Sequence, residues 1–316
     1  MKKSLLGLFV SLSLTAYAQV DTVSRSSPPV NQSPYSLKTG REIILLSTGV
    51  ASYGAAYVFN KSLDPLTVDG VAQLNKTAIP AYDRSATNQY SPDAAHLSDL
   101  TLGAGIGLTG LVILSAKAPA NAVPGRTQMV PGEPKPTLTY SFFKSELFTV
   151  GVMYVETMLL TNGVKSAVKD AVERTRPFAY NAAAPLSEKL DKDTQRSFYS
   201  GHASNAFATA VFAAEVFRHY HPDSRAKPWV WVGSLGLATG TAYLRYEAGQ
   251  HFPSDLLVGA AMGSLAGWGI PKLHETRRRG NQPAGRANVS VNPWSSGLAS
   301  GVSIRWSISS PSFVAE

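Results

Sequence analysis

Six apolar, helix-length segments restrict the fold of this chain more than any other feature. They are Ile43–Phe59, Leu100–Ala116, Phe148–Val164, Ala203–Phe217, Trp229–Tyr243 and Leu256–Ile270. All are rich in Gly, Ala, Ser and Thr, which let helix backbones approach closely. The reading is an all-α fold, a bundle of about six helices. Each segment is 15 to 17 residues long, short of the roughly 20 residues of a bilayer span. They therefore suit either core helices of a soluble protein or short spans, and the mean hydropathy of −0.04 leaves both open.

Three short polar stretches interrupt the apolar pattern. The first, Lys169 to Pro177, holds Lys169 and Arg176 seven residues apart, two turns on one face if the helix continues. Two cations at a helix end suit a multiply charged oxyanion, Arg as a fork of donors and Lys as a compact charge. The second, Tyr199-Ser200-Gly201-His202, opens an apolar helix. Ser200 and Gly201 stand where an N-cap belongs, and free N–H groups there attract anions. His202 at that mouth can give a proton to a leaving group. The third runs from Arg245 to Asp255. Here His251 and Asp255 are spaced as a helical i, i+4 pair, with Pro253 in the first turn. A carboxylate so placed would keep one imidazole nitrogen protonated and leave the other as a nucleophile. Each stretch alone also has a bland reading: a solvated basic face, an ordinary cap, a structural His–Asp contact. In an alternating six-helix bundle all three fall at the same end.

Taken in order, Lys169-x6-Arg176-Pro177, Ser200-Gly201-His202 and Arg245-x5-His251-x3-Asp255 resemble the signature of the type 2 phosphatidic acid phosphatase superfamily. That superfamily includes lipid phosphatases, bacterial class A acid phosphatases and vanadium haloperoxidases. Its pattern has Pro where this chain has Tyr199, and Ser where it has Leu244. The resemblance covers about residues 145 to 270. It implies that His251 attacks phosphorus to form a phosphohistidine, that Asp255 orients it, and that His202 protonates the leaving oxygen. It implies further that Lys169, Arg176, Arg245, Ser200 and the Gly201 backbone hold the phosphoryl oxygens, with no metal and no cofactor. A vanadate-dependent haloperoxidase and a catalytically silent phosphate-binding envelope protein are the alternatives.

Net charge is +8, which favours anionic partners. The basic residues are scattered and no nucleic-acid motif occurs. The expected partner is a phosphorylated lipid or small phosphoester, with contact to a membrane. The absence of cysteine excludes disulfides, thiolate catalysis and Cys-ligated zinc.

The parsing along the chain is a signal peptide over 1–18, with Lys2-Lys3, an apolar run and Ala16-Tyr17-Ala18. A flexible leader follows over 19–40, then a helical phosphatase domain over 41–275. Residues 276–316 are a basic linker and β-rich tail, where alternating Val289, Val291, Val302, Ile304 and Trp306 predict a short C-terminal β-hairpin. The expected location is the cell envelope, facing the periplasm, either soluble or embedded in the inner membrane. With the signal cleaved, six spans would leave the motifs in the cytoplasm. Five spans from Leu100 onward would place them outside and the basic loops inside. Residues 60–99 are read as a rim beside the motifs or a disordered connector, and 117–140 as a plain linker. Glu156 and Glu215 fall inside apolar helices, where each is a face charge, one of a buried pair with Arg, or a support for a motif cation. His96, His219, His221 and His274 show no ligand spacing and receive no role.

Overall fold

The computed structural model describes residues 33–61, 64–116, 138–276, 288–295 and 300–307. The stretch expected as a signal peptide, most of the expected leader, residues 117–137 of the expected 117–140 linker, and Arg277–Arg279 lie outside these residues.

The fold is all-helical. Nine α-helices occur among the described residues: α1 (Thr39–Lys61), α2 (Val68–Ala72), α3 (Ala81–Arg84), α4 (Pro92–Ser115), α5 (Leu138–Val172), α6 (Leu186–Lys189), α7 (Gly201–Tyr220), α8 (Lys227–Glu247) and α9 (Pro253–His274). Six of them run for 20 residues or more. These six contain the six apolar segments, except for Ala116 just past the end of α4, and are longer. Polar residues at their ends continue the helix, so counting apolar residues alone undercounts the turns. Capping fixes several starts: the Ser91 hydroxyl accepts from the Ala94 N–H ahead of Pro92, and the Ser200 hydroxyl accepts from the Ala203 N–H.

Helix α7 is the axis of the bundle and packs against α4, α5, α8 and α9. Its contact with α9 is the tightest. Gly259, Gly263 and Gly267 present one face of α9 to the α7 backbone, and a Cβ at Gly263 would stand 2.1 Å from the Ser204 carbonyl oxygen. Only glycine permits that approach. Tyr35, Val150, Met153, Phe212, Val216 and Ile270 form a core cluster near the other end of the bundle. Tyr35 belongs to the stretch expected as free leader. Instead it is buried, and its backbone bridges to Glu275.

The outer faces stay apolar. Leu100 of α4 is 69% exposed and Leu257 of α9 is 72% exposed, and both helices carry further exposed Leu or Trp side chains. Such a belt marks a lipid- or protein-facing surface. Helices α4, α5 and α9 contain stretches long and apolar enough to cross a membrane by length and composition.

The connector from α1 to α4 is structured: α2, α3 and two 3-10 turns occupy it. It reaches the motif end of the bundle, where Asp83 is fully buried. Outside the helical unit Val30–Arg278, the backbones of Asn288–Ser295 and Ser300–Ser307 run antiparallel. The C-terminal hairpin stays an expectation of the sequence pattern and is no part of the all-α body.

Candidate active site

The three motif stretches meet at one end of the bundle, around a cavity of about 430 Å³. Lys165, Lys169, Arg176, Arg196, Gly201, His202, Arg245 and His251 line it, together with Asp193, Asn205 and Gln250. Helix α5 brings Lys165 and Lys169, the start of α7 brings Gly201 and His202, and the end of α8 brings Arg245. His251 comes from the turn before α9.

Lys169 and Arg176 converge, but not along one helix face. Helix α5 ends at Val172, and Glu173 turns the chain with φ of 51°. Arg176 is extended ahead of Pro177, as a residue before proline prefers. Lys169 Nζ donates to the Arg196 carbonyl at 2.6 Å. Arg176 Nε donates to the Asp193 carbonyl at 3.0 Å, and its other nitrogens reach the Gln250 side chain and the Asp193 carboxylate. Arg245 donates to Ser98 at 3.2 Å and to Gln250 at 3.4 Å. These side-chain and carbonyl contacts hold the three cations around one space before any anion arrives.

His251 and Asp255 also differ from the helical pair the spacing suggests. Helix α9 begins at Pro253, so His251 precedes it. Asp255 lies in the first turn and accepts from the Phe252 N–H at 3.0 Å. His251 Nδ1 lies 3.7 Å from Asp255 Oδ2, beyond hydrogen-bond reach, and has no other partner among the described residues. Asp255 is instead held by Arg174 and by the Ser197 hydroxyl. Burial first, then Lys169, Arg176 and Arg245, push the His251 imidazole well below its usual value. The ring is therefore neutral at physiological pH.

His202 sits at the mouth of α7, with Nε2 2.6 Å from Asp99 Oδ1. Burial and then Arg245 push it down to about 4, although Asp99 works the other way. The bound dianion of a phosphate ester would oppose both effects and restore the proton. Burial works to raise Asp193, but Arg176, then Lys169 and Arg196, outweigh it and hold the carboxyl below its usual range. Asp193 is thus a resident anion among the cations.

Ser200 is fully buried and its hydroxyl caps α7. It does not line the cavity, although the adjacent Gly201 does. A Cβ at Gly201 would stand 2.9 Å from the Lys165 side chain.

Several functional neighbours escaped the motif reading. Lys165 and Arg174 look like parts of a solvated basic face in sequence. In the structure Lys165 lines the cavity, and Arg174 joins Asp255 to the buried Asp83 at 2.8 Å. Arg174 also stacks over the Phe252 ring at 4.1 Å. Asp83 accepts from the Ser254 N–H at 3.0 Å and the Ser254 hydroxyl at 2.6 Å. Phe178 N–H donates to the Gly249 carbonyl at 2.8 Å. Gly249 has φ of 69°, and a Cβ there would clash with the Gln89 carbonyl at 2.2 Å.

Comparison with known proteins agrees with this geometry. Residues 151–279 match the PAP2 superfamily model, and all three motif stretches fall inside that match. Over these residues the chain resembles the PAP2 superfamily. The chain is 28% identical over 142 residues to a lipid A 4'-phosphatase of Bacteroides thetaiotaomicron, covering 42% of this chain and 59% of that protein. It is 33% identical over 110 residues to a lipid A 1-phosphatase of Porphyromonas gingivalis, covering 35% of this chain and 20% of that protein. The match therefore spans less than two thirds of each relative. A transmembrane PAP2-type phosphatidylglycerolphosphate phosphatase from Bacillus subtilis superposes with a TM-score of 0.41 at 17% identity, over 72% of this chain and 96% of that one.

The remaining sequence expectations divide. Glu215 pairs with Arg218 at the end of α7, the plain pairing. Glu156 supports no motif cation; it faces His274 at 3.2 Å.

Proposed function

We propose that this chain is a membrane lipid phosphatase that works through a phosphohistidine on His251. The cavity that gathers Lys169, Arg176, Arg245, His202 and His251 carries this reading. In the proposed reaction the cations and the Gly201 N–H hold the phosphoryl oxygens. His251 Nε2, the ring nitrogen turned from Asp255, attacks phosphorus. The P–O bond to the leaving group breaks as the P–N bond forms, and His202 delivers its proton to the leaving oxygen. Water then attacks the phosphohistidine, giving its proton to His202, and the P–N bond breaks to release phosphate. Asp255 closes on Nδ1 to balance the positive ring. Charge on the transferring group is met by Arg and Lys, so no metal is needed in this reading.

Lipid is favoured over a soluble ester by a second feature. An apolar groove of about 390 Å³ runs between α4, α7 and α8, lined by residues such as Leu108, Val112, Ala210, Trp229 and Leu237. Leu102 lines both this groove and the charged cavity, so a phosphate at one end places its acyl chain along the other. The curated relatives are named lipid A phosphatases. With the signal cleaved, a location in the cell envelope with the cavity on its outer side requires that α4, α5, α7, α8 and α9 span the membrane and that α1 does not.

The direct test is phosphate release from a diphosphorylated lipid and from an aryl phosphate, both in detergent. Lipid is expected to exceed the aryl ester in kcat/KM by at least about 10-fold, the order that apolar groups add in a fitted groove. Equal rates would favour a soluble-ester phosphatase. Vanadate is expected to inhibit; peroxidase activity switched on by vanadate would reverse the assignment.

A pH profile tests the neutral nucleophile. The folded value of His251 lies below that of free imidazole, so the nucleophilic form survives as pH falls from 7. The acid limb of kcat/KM, which reports the free enzyme and substrate, should follow the second ionisation of the substrate phosphate near about 6. A limb near 6.5 that stays fixed when a substrate of different phosphate pKa is used would contradict it.

A further inference from the structure

We infer that Glu42, Glu156 and His274 form a binding site for one first-row divalent cation, separate from the catalytic cavity. The three side chains come from α1, α5 and α9. Each offers one ligand atom, and these atoms lie within 4.8 Å of one another. Glu156 and His274 are fully buried, and Glu42 nearly so. Along α5, Glu156 stands about 20 Å from Lys169 at 1.5 Å per residue.

The hydrogen bonding points to a positive occupant. His274 Nδ1 lies 2.8 Å from the Ile270 carbonyl. A carbonyl only accepts, so Nδ1 carries a proton, and with that one proton the ring turns its Nε2 lone pair inward. That lone pair faces Glu42 Oε1 at 3.1 Å and Glu156 Oε2 at 3.2 Å. Acceptor against two acceptors is repulsive unless a cation lies between them. A proton on Nε2 is the simplest one, but a single N–H serves one carboxylate well. Among the described residues, neither Glu156 oxygen nor His274 Nε2 has a hydrogen-bond partner. A buried carboxylate left so is costly. Arg41 donates to Glu42 Oε1 at 2.7 Å and Lys38 N–H donates to Oε2 at 2.9 Å, so Glu42 is held in place from the outside. No such donor reaches Glu156.

The spacing fits a metal. Ligand atoms at about 2.0–2.2 Å from a shared cation stand about 3.0–3.5 Å apart, which matches both His–Glu distances. One imidazole with two carboxylates suits Zn²⁺, Mn²⁺ or Fe²⁺, and the Ile270 carbonyl supplies the outer hydrogen bond that metal-bound histidines use. Such an ion would clamp α1 and α9 onto α5 at the end opposite the cavity.

The test uses full-length, tag-free protein in detergent, incubated with Zn²⁺ or Mn²⁺, freed of excess ion by gel filtration, and measured for bound metal. About one equivalent is expected, with at least a tenfold loss in Glu156→Gln and in His274→Ala. The wild-type Tm should fall in EDTA and recover with the ion. Less than a tenth of an equivalent of either ion, with a Tm indifferent to EDTA, would overturn the site and leave a proton as the bridge. The wild-type measurements decide this even if a variant fails to fold.

Discussion

His251→Ala is expected to lower kcat for phosphate release by about 10⁴-fold or more, the scale on which removing a nucleophile acts. The other candidate nucleophiles of the cavity are engaged: His202 meets Asp99 through Nε2, and Lys165 donates to Asn162. The cavity has no Cys, Lys169 is committed to the Arg196 carbonyl, and Asp193 is turned toward Arg176. Substrate binding should change far less, because the cations that hold the phosphoryl group remain. KM and vanadate inhibition within about tenfold of the wild type, with the loss confined to kcat, is the expected pattern. A loss confined to KM would mean that His251 only binds.

Arg174→Ala is expected to be the most damaging change outside the cavity. Its guanidinium joins Asp83 to Asp255, and both carboxylates are almost completely buried. Breaking a buried pair from one side strands the remaining charge and costs about 3–5 kcal/mol. Arg174 is about a quarter exposed, so the low end, about 3 kcal/mol, is the better estimate. The same change frees Asp255 and the start of α9, which carries the His251 turn. Thermal unfolding should show the loss of stability. At a temperature where the variant is folded, kcat should still fall by about 10²-fold through misplacement of His251, with KM little changed. Full kcat in the folded variant would limit Arg174 to stability. Arg174→Lys restores charge but not the two-sided fork, so it should recover part of the stability and little of the rate.

What could be read from the sequence was what lies close together in it. Lys169, Arg176, His202, Arg245 and His251 stood out through residue type and spacing, and they do line one cavity, with Ser200 and Asp255 set behind it. Helix-length apolar segments gave the bundle, because each stripe must be covered by another helix or by lipid. The local geometry was less legible. Seven-residue spacing suggested one helix face for Lys169 and Arg176, but the helix stops at Val172 and the turn at Glu173 redirects the chain. Four-residue spacing suggested a helical His–Asp pair, but α9 starts two residues after His251. The supporting partners were invisible because they are distant in sequence. Arg174 meets Asp83 from the α1–α4 connector, and His202 meets Asp99 from α4. His274 had no ligand spacing around it, since Glu42 and Glu156 arrive on two other helices.

A phosphohistidine on His251 can be trapped by rapid quenching of the full-length protein with ³²P-labelled substrate, followed by mapping of the label. Label stable to base and lost in acid is expected, carried by the peptide that holds His251. It should be more abundant in His202→Ala reacted with an aryl phosphate of good leaving group, where breakdown by water lacks its base, and absent from His251→Ala. Turnover with no trapped label in either the wild type or His202→Ala, or label on any other residue, would contradict it.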